Sequence, residues 1–304
     1  MGATAVQPGV WGVLATPFSR DGSALDEESL DREVRWYVER GVTGLTALGV
    51  FGEAASLTAA ERRRVVEIVA AARGSLPVVI GVTSLDTAGA IAEIRNFADV
   101  AGDGLAAAMV QINSSNPGEL VPHLEGINRS TGVSIVLQDY PAISGVRITP
   151  ADLVMAVEWL SSVVAVKSES SPSPAAMAVL ASGLQVPVFG GLGGTCLLDE
   201  LSLGAAGAMT GFSVPEGLVE VVAAFRSGGY EAARAAWLPY LPLVNFEFQQ
   251  GIALAIRKES LRLRGVLAGA TVRAPAKPLP DALRGLLATH LAQTPHGDEI
   301  LVSA

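Results

Sequence analysis

A chain of 304 residues, half of them hydrophobic and 17% charged, can bury one large core or two smaller ones and is too apolar to be disordered. Its net charge of −9 argues against nucleic acid or an anionic membrane as a general partner. One cysteine, Cys196, excludes an internal disulfide and a cysteine metal cluster, and the scattered His123, His290 and His296 offer neither zinc spacing nor a histidine-based triad.

The opening MGATAVQPGVWG lacks a basic region followed by an apolar stretch, so no signal peptide is expected. No apolar run reaches membrane-spanning length, and a soluble cytoplasmic protein follows as the expectation. From Val10 onward short apolar runs alternate with longer amphipathic ones. Strands are predicted over residues 10–15, 45–48, 78–81, 106–110, 134–138, 163–166, 186–189 and 208–210. Between them, Asp26-Glu27-Glu28 places acid at the start of a helix that closes at Gly41. Thr58 with Glu61 forms a capping box opening a helix to about Ala72, and Thr149-Pro150 opens another to Leu160. Eight such units build a (β/α)8 TIM barrel, an α/β fold of about 250 residues. A doubly wound sheet competes, but neither a G-x-G-x-x-G turn nor a Walker lysine follows an early strand. After Ser227 the pattern is helical only, over residues 230–238, 242–264 and 281–291, with a proline-rich connector at 274–280. The expected organisation is a catalytic barrel over residues 1–228 and a small C-terminal helical subdomain over 229–304.

Reacting groups in such barrels lie at the C-terminal ends of the strands, where the βα loops surround one cavity. Lys167 falls there. It is the only lysine in the first 257 residues and ends the apolar run Val163-Val164-Ala165-Val166. An ammonium drawn into the mouth of a buried strand loses hydration, which favours the neutral amine that attacks carbonyl carbon. Taken alone the segment also suits a lysine whose head stays in solvent. The same rim holds Gly49-Val50-Phe51-Gly52-Glu53, Gln138-Asp139-Tyr140-Pro141, Gly190-Gly191-Leu192-Gly193-Gly194 and Thr210-Gly211-Phe212. The first is a glycine-bracketed turn able to present backbone N–H groups to an anion. The four glycines after strand seven also expose amides, and barrels often bind phosphate there.

In this order the segments resemble the dihydrodipicolinate synthase / N-acetylneuraminate lyase family of class I aldolases. The resemblance is carried by Thr16-Pro17-Phe18, Asp21-Gly22, Leu25-Asp26, Gly41-Val42-Thr43-Gly44, Gly49-x-x-Gly52-Glu53, Leu57-Thr58, Glu61-Arg62, Val166-Lys167-Ser168-Glu169-Ser170 and Gly204-Ala205-Ala206-Gly207-Ala208-Met209. It implies that Lys167 forms a Schiff base with pyruvate or another 2-oxo acid, without metal or organic cofactor. It also implies that Val50 and Phe51 hold the carboxylate through their N–H groups, and that Gly190, Gly191 and Met209 line the cavity. An aldehyde is the implied second substrate, and a homo-oligomer, dimer or tetramer, the implied assembly.

Three departures argue against dihydrodipicolinate synthase proper. Val50 and Phe51 stand where relatives carry hydroxyls, Gln138 where strand five ends in a relay tyrosine, and Ile143 where the synthases carry arginine. Tyr140, two residues past Gln138 and on the same face if extended, is the candidate substitute for proton transfer, with Gln138 binding a substrate oxygen. The alternative is that Tyr140 packs in its loop. Glu53 is expected to brace its turn and Cys196 to pack, while Asp139 and Glu169 are rim carboxylates for which no metal is expected. The expected activity is an aldolase or hydratase-aldolase. A sugar-acid dehydratase of the same family and a non-catalytic metabolite-binding barrel stay open as alternatives.

Overall fold

The computed structural model describes residues 6–299. The first five residues of the segment read above for a signal peptide, and residues 300–304 of the C-terminal subdomain, lie outside the described residues. Eight parallel strands close into a barrel in chain order: β1 (Gly9–Val13), β2 (Gly44–Ala47), β3 (Val78–Gly81), β4 (Leu105–Gln111), β5 (Ile135–Asp139), β6 (Val163–Ser168), β7 (Val188–Gly190) and β8 (Gly207–Thr210). The ring is sealed by β8 on β1, where Trp11 pairs with Met209. This is the (β/α)8 barrel anticipated from the alternation.

The helices around it are α1 (Glu27–Glu39), α2 (Ala59–Ala72), α3 (Thr87–Ala101), α4 (Pro117–Thr131), the single turn α5 (Pro141–Ser144), α6 (Pro150–Val157), α7 (Ser173–Gly183), α8 (Leu197–Ser202) and α9 (Pro215–Trp237). Their starts follow local chemistry. The Asp26 carboxylate accepts from Ser29 N–H, and Gly41, with φ of 71°, turns the chain out of α1. The Thr58–Glu61 capping box is formed on both sides, and Thr149 caps α6.

Several boundaries differ from the sequence expectation, and three of them have a local physical cause. Strand β6 runs on through Lys167 to Ser168, because both residues still pair with β5 and β7. Strand β7 starts late, at Val188, since Pro187 has no N–H to give to the ladder and serves only as an acceptor for Val166. The single helix expected over 242–264 is two, α10 (Leu241–Glu247) and α11 (Ala253–Leu263), separated around Gly251 with φ of 81°. A last helix, α12 (Asp281–Ala292), packs on both. Residues 228 and 229 lie within one helix, α9, which is kinked at Gly229, φ 67°.

Alternation along the strands divides the apolar residues into two cores. Leu45, Ile80, Val110, Leu137 and Val166 face outward onto the helices, whereas Trp11, Val79, Met109, Val136, Ala165, Phe189 and Met209 fill the barrel interior. Counting on by two from the inward set reaches Gln111, Gln138 and Lys167, all buried. The interior therefore turns from apolar to polar at the C-terminal ends of β4, β5 and β6.

Candidate active site

A cavity of about 310 Å³ opens at this end, near the lower limit for small-molecule sites. Leu48, Gly49, Val50 and Glu53–Ala55 form one wall, Gly81–Thr83 and Leu85 another, and Met109, Gln111, Gln138 and Ile143 complete it. The lining is mainly apolar. Among the described residues nothing satisfies the Oε1 of Gln111 or the Thr46 hydroxyl in the interior. Buried acceptors and donors of this kind are costly unless something else meets them.

The wall after β2 is a strained turn. Leu48 and Glu53 both adopt left-handed backbone, at φ 55° and 51°, which non-glycine residues hold only when their surroundings impose it. Gly81 allows the close approach of the Leu48 carbonyl, since a Cβ there would collide with it. Thr16 Oγ1 donates to Gly52 O at 2.6 Å, and Glu53 N–H closes the turn on Val50 O at 3.1 Å. The Glu53 carboxylate is itself clamped, by the Lys258 ammonium and by Arg273 N–H at 2.8 Å. Lys258 and Arg273 stack over Phe18 at 4.3 and 4.2 Å. Glu53, Phe18, Glu61 and Thr58 thus belong to one bracing cluster, as Arg273 also pairs with Glu61 at 2.7 Å. The turn leaves the N–H groups of Val50 and Phe51 without an acceptor among the described residues.

Across the barrel mouth the groups are packed more tightly. Lys167 is 6% exposed, and its Nζ lies 3.3 Å from Glu169 Oε2. Gln138 Nε2 donates to that same oxygen at 2.7 Å, while Leu192 N–H donates to Oε1 at 3.2 Å. A Cβ at Gly191 would strike Glu169, so only glycine leaves room for the carboxylate. Two more carboxyls crowd the region. Burial, and then the charge of Glu169, push Asp139 up to about 6, and its Oδ1 has no hydrogen-bond partner among the described residues. Burial pushes Glu200 up to about 7 against the hydrogen bond from Ser173, and a Cβ at Gly190 would strike the Glu200 carboxylate. The Tyr140 phenol is raised by burial and by Glu169, with Arg257 opposing.

The residues singled out in the sequence divide between these two sides. Val50 and Gln138 line the cavity. Lys167, Gln138 and Gly191 meet at Glu169, and Tyr140 lies within its electrostatic reach. The Lys167 amine is directed at Glu169 and lies outside the cavity walls, with Gln138, its register neighbour on β5, belonging to both sides. Phe51 is packed on Gly211 with the Arg257 guanidinium 5.8 Å from its ring centre. Gly190 backs onto Glu200, and Met209 belongs to the interior core.

Sequence reasoning treated Glu169 only as a rim carboxylate and passed over Gln111, Glu200 and Arg257. A count of two from Lys167 puts Glu169 on the lysine's own face, and one further residue on β4 reveals Gln111. Arg257 carries no local signal. It comes from α11, pairs with Glu247 at 3.3 Å and reaches over Gly193, where a side chain would meet its guanidinium.

The model of the dihydrodipicolinate synthetase family matches residues 7–294. The 4-hydroxy-tetrahydrodipicolinate synthase of Methanothrix thermoacetophila is 32% identical over 277 residues, covering 90% of this chain and 92% of the relative. That of Pelobacter propionicus is 30% identical over 277 residues, with 90% and 94% covered. The crystal structure of dihydrodipicolinate synthase from Rhodopseudomonas palustris superposes with a TM-score of 0.86 at 31% identity, over 95% of this chain and 99% of that one. On this agreement of sequence and fold over nearly its whole length, the chain belongs to the dihydrodipicolinate synthetase family.

Proposed function

We propose that the protein is a Schiff-base-forming lyase, an aldolase or hydratase-aldolase, acting on pyruvate or another 2-oxo acid through Lys167. Membership in the family gives the class, a lyase of the class I aldolase type. The observation that carries the finer reading is a buried amine on the inward face of β6, across the barrel mouth from a turn whose Val50 and Phe51 N–H groups have no acceptor among the described residues. In this reading the oxo acid's carboxylate sits on the Val50 and Phe51 amides. Gln138 keeps one Nε2 hydrogen on Glu169 and offers the other to a substrate oxygen as the carbonyl carbon reaches Nζ. The protonated imine draws electrons from the adjacent C–C or C–H bond and leaves an enamine. Gly190, Gly191 and Met209 shape the pocket, and Tyr140 borders it. No metal or organic cofactor enters the scheme.

The acceptor is read from the walls. Leu48, Val50, Leu85 and Ile143 offer apolar surface, and Ile143 holds the place of the synthases' arginine. An aldehyde with an apolar body suits this lining better than a second carboxylate does. A cytoplasmic homo-oligomer completes the proposal. One observation favours a second reading, a barrel that binds a metabolite without turnover: Lys167 is paired with Glu169 and lies outside the cavity walls.

Borohydride reduction in the presence of pyruvate separates the two. The expected result is one reduced pyruvate adduct, located on Lys167 by mass spectrometry and lost in Lys167→Ala. No adduct with any 2-oxo acid overturns the lyase reading.

A further inference from the structure

Imine formation is largely a matter of moving protons, and an ammonium must first lose one. Among the described residues, Glu169 is the one acid or base paired with Lys167 Nζ. Beside it strand β5 presents Gln138, whose amide neither gives nor takes protons at ordinary pH. We propose that Glu169 is a catalytic acid–base, exchanging protons directly with Lys167 and with the substrate oxygen, and that Gln138 is its positioning residue. The inference rests on the lyase reading above and names the proton carrier that reading needs.

The geometry supports this over a purely structural ion pair. Glu169 stands two residues after Lys167, so alternation places both on the interior face. Its Oε2 faces Nζ, while Oε1 is tethered by Leu192 N–H, which fixes the carboxylate's orientation. Gln138 donates to the reacting oxygen and leaves it further capacity to accept from nitrogen. Gly191 keeps open the volume that the carboxylate occupies. Among the described residues the phenol of Tyr140 makes no hydrogen bond to Nζ, and it senses the pair through the charge of Glu169.

The steps balance as follows. Glu169 carboxylate takes one proton from the Lys167 ammonium, giving amine and carboxylic acid. The nitrogen lone pair forms a bond to C2 of the oxo acid as the carbonyl π pair moves onto oxygen, and Glu169 returns its proton there. The new N–H₂ cation gives a proton back to Glu169, leaving a neutral carbinolamine. Glu169 then protonates the hydroxyl, which leaves as water with the C–O pair, and the nitrogen lone pair closes the iminium. Ammonium, carbonyl and carboxylate have become iminium, water and carboxylate, with no oxidant or further reactant.

The test is the rate at which borohydride traps pyruvate on Lys167. Glu169→Gln retains an acceptor for Leu192 N–H, and Gln138 can meet the new N–H₂ by flipping its amide to present Oε1, so a merely structural role predicts a rate near that of the unmodified chain. The proposal predicts a fall of about 100-fold to 10,000-fold, the range of general acid–base contributions. In Glu169→Ala, added formate should restore trapping along a saturating curve, which carries the test if Glu169→Gln does not fold. Trapping in Glu169→Gln within about threefold of the unmodified protein overturns the proposal. So does a Glu169→Ala rate indifferent to formate, or loss of trapping in Tyr140→Phe while Glu169→Gln keeps it. Absence of any adduct on the unmodified chain removes the lyase reading and this inference together, whereas an adduct formed equally well without Glu169 removes the inference alone.

Discussion

Two lysines are buried beside glutamates in this barrel, and their surroundings differ. Lys258 is fully buried, ion-paired to Glu53, hydrogen-bonded to Thr271 O at 2.8 Å and set over the Phe18 ring. Burial pulls its ammonium below the ordinary lysine range, with Glu53 as the chief opposing charge. Lys167 has one ionic partner at 3.3 Å, and that partner is shared with Gln138. An ammonium with several protein acceptors is held as structure, since each contact offsets part of its desolvation. An ammonium with one longer contact retains donors that a ligand can engage. The comparison puts Lys258 in the brace of the β2 turn and favours the chemical role proposed for Lys167.

The largest effect should come from Lys258→Met. It leaves Glu53 buried with only the Arg273 N–H, and breaking a buried pair on one side costs about 3–5 kcal/mol. Chemical denaturation measures it. A loss below about 1 kcal/mol would dissolve the contrast between the two lysines.

Glu33, whose Oε1 accepts from Ala15 N–H at 2.8 Å, gives the next effect, through pH. Burial raises its carboxyl to about 8, against the opposing influence of the Ala15 N–H and Lys258. The folded state holds the proton that the unfolded chain releases near pH 4.5. Stability from this group is therefore complete below that pH and is lost as pH climbs towards 8. Glu33→Gln keeps the acceptor and removes the titration. Its stability should match that of the unmodified chain near pH 5 and exceed it at pH 8 by on the order of 3 kcal/mol. Asp139 and Glu200, also raised, titrate in both proteins and cancel. A difference independent of pH would show that Glu33 is ionised in the fold.

Legibility in the sequence followed the range of the interaction. The barrel was legible because each strand and cap is written within a few residues, as in the Thr58–Glu61 box and the run before Lys167. The β2 turn was legible as a motif, but the reason for Glu53 was not, since Lys258 and Arg273 arrive from the far end of the chain. Gln138 and Tyr140 carry the proton-relay expectation because relatives end strand five in a tyrosine, and Asp139 enters only as a rim carboxylate. The group in contact with the amine was two residues along the lysine's own strand direction, where alternation alone would have put it. Lys167 was expected beyond the end of its strand and lies within it, with its amine 3.3 Å from Glu169. The packing around that pair depends on Gly191 and Leu192 of another loop, and no local pattern records that meeting.

The smallest effect on stability should come from the residue with the greatest effect on chemistry. In Lys167→Met the Glu169 carboxylate loses one contact of 3.3 Å but keeps Gln138 Nε2 at 2.7 Å and Leu192 N–H at 3.2 Å. Methionine replaces the buried stem with a side chain of similar length, so little packing is lost. A carboxylate with two remaining donors is not stranded in the way Glu53 is after Lys258→Met. We expect a cost of about 1.5 kcal/mol by denaturation, the low end of the net value of a single charged hydrogen bond. Pyruvate trapping should vanish in the same protein. A Lys167→Met chain destabilised as severely as Lys258→Met would instead make both ammonium groups structural, since a lysine that the fold cannot spare is not one it holds available for a carbonyl.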